Sequence, residues 1–234
     1  MLYIIQTALQ LGCVYSFVAL ALFLSYRILD IADLTTDGCF VLGMAVSVSC
    51  CAGGHPFAGV ILGMIAGGCA GCVTAILQTR LGVPSILAGI VTNTGLYTIN
   101  LMAMGWSSNI SLLKNETIFS LFKKTNTGGA WNAILLVGMI ALCAMVLMKW
   151  FLSTRLGLSI RATGDNRDMV SASSINPRFT ILVGLVVANM FTGLSGALAG
   201  QLQKSADINA GSGIVTIGLA TLIIGETLIQ GRKS

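Results

Sequence analysis

The sequence predicts an all-α protein, a polytopic transmembrane helix bundle with about 7 spans, and three observations carry the expectation. Charged residues make up only 9% of the chain against 55% hydrophobic ones, whereas roughly a quarter of a soluble domain is charged. The mean hydropathy is +0.89. The apolar residues also fall into long runs, and about 20 consecutive apolar residues suffice to cross a bilayer. A chain so poor in charge cannot coat a globule with solvated side chains, so lipid has to take the place of water. The 234 residues suit one transmembrane domain, 1–234, without a separate soluble catalytic domain. A net charge of +5 is too modest for a nucleic-acid binder.

Seven stretches qualify in chain order: 4–26, 39–52, 57–79, 86–104, 131–152, 179–201 and 214–229. The first lacks a basic leader and outlasts a signal peptide, so no cleaved signal is expected. The second is short, and the polar stretch 30–38 before it is expected to lie partly inside the protein. Trp106, Trp131 and Trp150 fall at span ends, where indole rings settle at the interface. Small residues four apart mark helix contacts: Gly63 with Gly67, Gly67 with Gly71, and Gly196 with Gly200.

Basic residues set the orientation. With the N-terminus outside, Arg27, Arg80, Lys149, Arg155, Arg161, Arg167, Arg178, Arg232 and Lys233 lie inside. Lys114, Lys123, Lys124 and Lys204 lie outside. The majority inside predicts an external N-terminus, a cytoplasmic C-terminus, an external loop at about 105–130 and a cytoplasmic loop at about 153–178.

Two connections echo one another. Ala32-Asp33-Leu34-Thr35-Thr36-Asp37-Gly38 follows the first span, and Ala206-Asp207-Ile208-Asn209-Ala210-Gly211-Ser212-Gly213 follows the sixth. By this topology they lie at opposite faces, the pattern of an inverted-topology repeat. The first half then holds five spans and the second two, so further C-terminal helices are expected beyond Ser234.

Polar groups at membrane depth are costly and mark pathways. Asp30, Asp33, Thr35, Thr36 and Asp37 form one cluster at the first break, where Gly38 and the threonines point to an interrupted helix, and Asp207 matches it at the second. Asn93, Tyr97 and Asn100 recur at i, i+4 and i+7 on the fourth span, one helical face. That face either lines a path or joins helices by hydrogen bonds, and the residues leave both open. Glu226 stands alone near the inner end, and His55 is expected at an outer turn.

The residues offer no catalytic constellation. One histidine cannot build a His-rich metal centre, and neither H-E-x-x-H nor a phosphate-binding G-x-x-x-x-G-K-[ST] is present. No enzyme activity, metal or cofactor is expected. Cys69 and Cys72 form a C-x-x-C, but their glycine and alanine neighbours point to helix packing.

The loop between Ser153 and Arg178 contains a short helical stretch, for which Thr163 or Asp165 is a candidate cap and Ile175-Asn176-Pro177 the end. It includes R-L-G-L-S-I-R-A-T-G-D-N at 155–166, followed by Asn176. With R-I-L-D-I-A-D-L-T-T-D-G at 27–38, S-A-D-I-N-A-G-S-G at 205–213 and I-G-E at 224–226, the sequence resembles the permease subunits of ABC importers. The group is that of branched-chain amino acid and ribose permeases, and the nearest branch is the tryptophan/tyrosine type. The resemblance implies a bacterial inner-membrane protein, paired with a second permease copy. It would bind separate ATP-binding subunits inside and receive a small solute, such as an amino acid, from an extracytoplasmic solute-binding protein. By position, Arg161, Thr163, Gly164, Asp165, Asn166, Met169 and Ala172 would contact the ATPase. A secondary carrier or channel needing no ATP is the alternative reading of the same buried acids.

Overall fold

The computed structural model describes residues 2–113, 115–125 and 130–230. Lys114, Arg232 and Lys233, used in the charge asymmetry, lie outside the described residues.

Helix α1 (Leu2–Leu22) runs on into a π-helical turn, Phe23–Ile28. An irregular segment leads to α2 (Thr36–Ala52), and α3 (Pro56–Thr79) and α4 (Ser85–Ala103) follow. Strand β1 (Asn109–Ser111) and the short helix α5 (Ile118–Thr125) precede α6 (Ala130–Ser153). Two short helices, α7 (Arg155–Asp165) and α8 (Arg167–Ala172), lead into the 27-residue α9 (Pro177–Gln203). Strand β2 (Ser205–Asp207) and α10 (Ile214–Gln230) complete the order. The strands pair antiparallel, Asn109 opposite Asp207 and Ser111 opposite Ser205.

Each of the seven apolar stretches falls on a helix. Among the described residues five helices are long and apolar enough to cross a membrane: α1 with its π turn, α3, α4, α6 and α9. The other two, α2 and α10, have 17 residues each. The shortness of α2 has a physical counterpart, because it is the inner helix of the bundle. It packs against α3, α4, α9 and α10, and its buried residues occur on every face, as in a helix largely enclosed by its neighbours.

Glycine makes this crowding possible. The predicted small-residue pairs all lie at helix contacts, where backbones can touch. Gly63 lies against the Gly43 carbonyl, Gly71 against Leu185 and Asn189, and Gly196 and Gly200 against Phe40 and Met44.

Polar side chains close the remaining gaps. Gln201 is fully buried. Its Nε2 donates to Ser47 Oγ at 2.9 Å and to the Pro56 carbonyl at 2.8 Å, while its Oε1 accepts the Ile118 N–H at 3.1 Å. One side chain thus ties α9 to α2 and to the starts of α3 and α5. Glu226, which the sequence left isolated, pairs with Arg27 at 3.0 Å. Both side chains keep substantial solvent access, so Glu226→Gln is expected to lower stability by less than about 1 kcal/mol in thermal unfolding.

Candidate functional site

Two breaks in the long helices shape the site. At the first, α1 loosens into its π turn, and Asp30 takes a left-handed conformation at φ 53°. Asp33 is buried; its Oδ1 accepts the Thr35 N–H at 2.9 Å and its Oδ2 accepts Asn189 Nδ2 of α9 at 2.7 Å. Thr36 Oγ1 donates to the Asp33 carbonyl at 3.2 Å, and the Thr35 and Thr74 hydroxyls are bonded at 2.9 Å. A buried polar group is tolerable when such partners replace water.

The second break shares two of these features. Lys204 ends α9 in the left-handed region at φ 54°. Three residues on, Asp207 Oδ1 accepts the Asn209 N–H at 2.7 Å, the counterpart of Asp33 and Thr35. In each break a left-handed residue that is not glycine precedes an Ala-Asp pair whose carboxylate holds the N–H two residues ahead.

Between the breaks lies a cleft of about 310 Å³. Helix α2 contributes Asp37, Gly38 and Val41, and α4 contributes Asn93, Thr94, Tyr97 and Asn100. The second break contributes Ile208, Asn209, Gly211 and Ser212. Asp37 sits in the first turn of α2, yet its Oδ1 accepts the Val215 N–H at 2.9 Å and its Oδ2 the Gly213 N–H at 3.4 Å. The carboxylate therefore caps α10 from another helix, satisfying N–H groups that lack an intrahelical partner. Asp37→Ala should cost about 1 kcal/mol by loss of this cap and free the start of α10, read as a lower unfolding temperature. Asp37→Asn, which retains an acceptor oxygen, should lose less.

Gly38 brings α2 onto the polar face of α4. Its carbonyl accepts Asn100 Nδ2 at 3.2 Å, and a Cβ there would stand 2.5 Å from Asn93 Oδ1. Asn100 Oδ1 remains buried without a hydrogen-bond partner, whereas Tyr97 is half exposed. The cleft thus offers amides, hydroxyls and backbone groups, with its one carboxylate already engaged. Several weak polar contacts suit a solute that must both enter and leave.

The structure therefore brings together Asp37, Gly38, Asn93, Tyr97 and Asn100 of the predicted residues. It does not bring Asp33, Thr35 or Thr36 into the cleft: Thr35 bonds Thr74 of α3, Asp33 bonds Asn189 of α9, and Thr36 bonds back to the Asp33 carbonyl. Asp207 also stands outside the lining, in its turn beside the β pair. Asn209 and Ser212 were not singled out, because a non-helical loop carries no periodic signal to reveal which side chains face inward. Cys69 and Cys72 are free thiols on α3, and exposed His55 precedes Pro56 at the α2–α3 turn.

At the other end of the first break stands α7, with α8 following it. The sequence expected one helix capped by Thr163 or Asp165; the chain forms two, capped elsewhere. Thr154 Oγ1 accepts the Gly157 N–H at 3.3 Å, Asn166 Oδ1 accepts those of Asp168 and Met169 at 3.0 Å each, and Asn176 Oδ1 caps α9 through Arg178 at 3.0 Å. Thr163 instead faces inward, fully buried, with its hydroxyl 2.8 Å from that of Thr180. Gly164 has no room for a Cβ, since the Ile28 carbonyl occupies that position. Arg161, Asp165, Asn166, Met169 and Ala172 are exposed, Met169 by 69%.

A multi-pass membrane protein with a polar cleft between two broken helices has the architecture of a solute permease. Residues 4–231 match the family described as branched-chain amino acid transport system / permease component, and the chain belongs to that family. It is 33% identical to a tyrosine transport system permease protein of Clostridioides difficile, over 93% of this chain and 71% of that protein. It is 34% identical to an uncharacterized protein of Rickettsia prowazekii, over 96% of this chain and 78% of the relative. The D-allose transport system permease protein of Escherichia coli is 31% identical over 86% of this chain and 60% of its own length. No solved structure matches the chain.

Proposed function

We propose that the protein is the transmembrane subunit of an ATP-driven importer in the bacterial inner membrane, with its N-terminus outside. Two copies pair, take a small polar solute from an extracytoplasmic binding protein, and bind two ATP-binding subunits through the exposed face of α7 and α8. The solute class favoured by the tyrosine-permease relative is an amino acid. The breaks belong to an inverted repeat within a seven-span chain, a reading supported by their matching left-handed residues and Asp turns.

The observation that carries this reading is the seating of α7 on the first break. Gly164 packs against the backbone of Ile28 and Leu29, and Leu29 in turn lies against Gly184 of α9. Force applied to α7 would therefore reach the segment that leads, within eight residues, from Leu29 to Asp37 at the cleft. ATPase subunits that bind some arrangements of α7 better than others would shift the permease between its inward- and outward-facing states. Arg161, Asp165, Asn166, Met169 and Ala172 form the contact, while Thr163 and Gly164 anchor the helix to the bundle.

The cleft half of the proposal is tested by Asn93→Phe, which fills the space between α4 and α2. Uptake should fall by about tenfold or more, equivalent to roughly 1.4 kcal/mol at the barrier, while the ATP-binding partner still copurifies. Unchanged uptake would remove the cleft from the path.

A further inference from the structure

We infer that the protein carries a second site, for a phosphate ester, occupied by the headgroup of an anionic phospholipid. It lies in a pocket of about 400 Å³ between the α3–α4 turn and the start of α9, away from the cleft. Arg167 and Arg178 line it, and no carboxylate does. Among the described residues neither guanidinium has an ion-pair partner; the neighbouring exposed acids, Asp165 and Asp168, stand outside the lining.

Two further donors lie at the same place. Gln78 lines the pocket, and its Nε2 is buried without a hydrogen-bond partner. Ser85 begins the 19-residue α4 there, and Pro84 at the cap position gives the helix no side-chain cap. A helix N-terminus left in this condition presents free N–H groups and the positive end of its dipole. Two guanidinium groups, an amide N–H and a helix start make a donor-rich set in which no carboxylate competes, the only side-chain acceptors being the neutral Gln78 Oε1 and the Thr79 and Ser85 hydroxyls. A ligand with several anionic oxygens fits such a set, and a phosphate ester accepts from arginine in bidentate fashion.

The depth of the pocket selects the source of that phosphate. Gln78 and Thr79 close α3, and Ile181 belongs to the second turn of α9, so the pocket lies where the spans end. Exposed apolar side chains border it in sequence: Leu81, Ile86 and Phe179, each more than half exposed. A free phosphate ion has no use for these, whereas acyl chains do. Basic pockets between transmembrane helices at this level hold phospholipid headgroups in just this way.

The test titrates the purified permease in detergent with phosphatidylglycerol and counts bound lipid by native mass spectrometry. Phosphatidylcholine serves as the zwitterionic control and inorganic phosphate as competitor. Phosphatidylglycerol should bind preferentially, and Arg167→Gln or Arg178→Gln should each weaken it by about fivefold. Both arginines are exposed, so an unchanged unfolding temperature should show that the variants remain folded. Equal binding of the two lipids, or unaltered binding to the double variant, would overturn the site. Displacement by millimolar phosphate would overturn the lipid assignment in favour of a free anion. Release of an ATP-binding partner by the double variant, with lipid binding unchanged, would assign the pocket to a protein interface instead.

Discussion

Replacing Gly193 with leucine is expected to prevent the permease from reaching a folded, detergent-stable state. Gly193 marks the point where α2, α3 and α9 meet. A Cβ there would stand 2.6 Å from the Gly63 carbonyl oxygen and 3.1 Å from Gly67 Cα. From the other side, a Cβ on Gly43 would strike the Gly193 carbonyl. All of these neighbours are backbone atoms, which cannot rotate aside as a side chain can. The helices would have to separate, exposing the buried faces of α2 on which the site depends. The cost should reach or exceed the roughly 3 kcal/mol at the upper end of ordinary overpacking, a large share of a net stability of about 5–15 kcal/mol. Gly12→Leu and Gly138→Leu are controls on helices of the same bundle, because nothing lies within 4 Å of a Cβ at either position. Size-exclusion profiles and unfolding temperatures should separate the first variant from the other two. Wild-type yield and stability of Gly193→Leu would contradict the packing described.

Met169→Glu is expected to abolish most uptake while leaving the permease folded. Met169 is exposed by 69% on the six-residue α8, so its replacement removes little packing within the chain. In a complex, the same methionine would be buried against the ATPase, and a carboxylate there would lose its water without gaining a partner. Loss of a well-packed interface anchor costs about 2 kcal/mol or more, so copurification of the ATP-binding subunit should fall with uptake. Asp165→Arg probes the same face through charge. Gly164 is a poorer probe, because any side chain meets the Ile28 carbonyl and disturbs the fold as well as the coupling. Normal uptake by Met169→Glu would remove α8 from the coupling contact.

The five long helices were legible because apolar runs of this length have few other uses, and the polar face of α4 because Asn93, Tyr97 and Asn100 follow helical spacing. The first break was harder to read. Asp33 and Asp37 are four residues apart and look equivalent in the sequence. Asp33 lies in irregular backbone and turns to Asn189, whereas Asp37 lies within a helix and turns to α10. That difference arises from where α2 begins, which no residue before Thr36 announces with a side-chain cap. The caps of the α7–α8 region were misplaced for a related reason: Thr163 has the right chemistry, but it falls inside α7 and bonds Thr180. Gln201 was hidden within an apolar run, and the Arg27–Glu226 pair joins helices from opposite ends of the chain. Such contacts depend on which helices become neighbours, and apolar periodicity does not encode that choice.

The most direct test of the importer account is to purify the tagged permease gently from native membranes and identify what accompanies it. The account predicts an ATP-hydrolysing subunit in equal amount with the wild-type chain and its loss from the Met169→Glu variant. Recovery of the permease alone, with uptake that is indifferent to ATP but abolished by a protonophore, would contradict it and favour a secondary carrier.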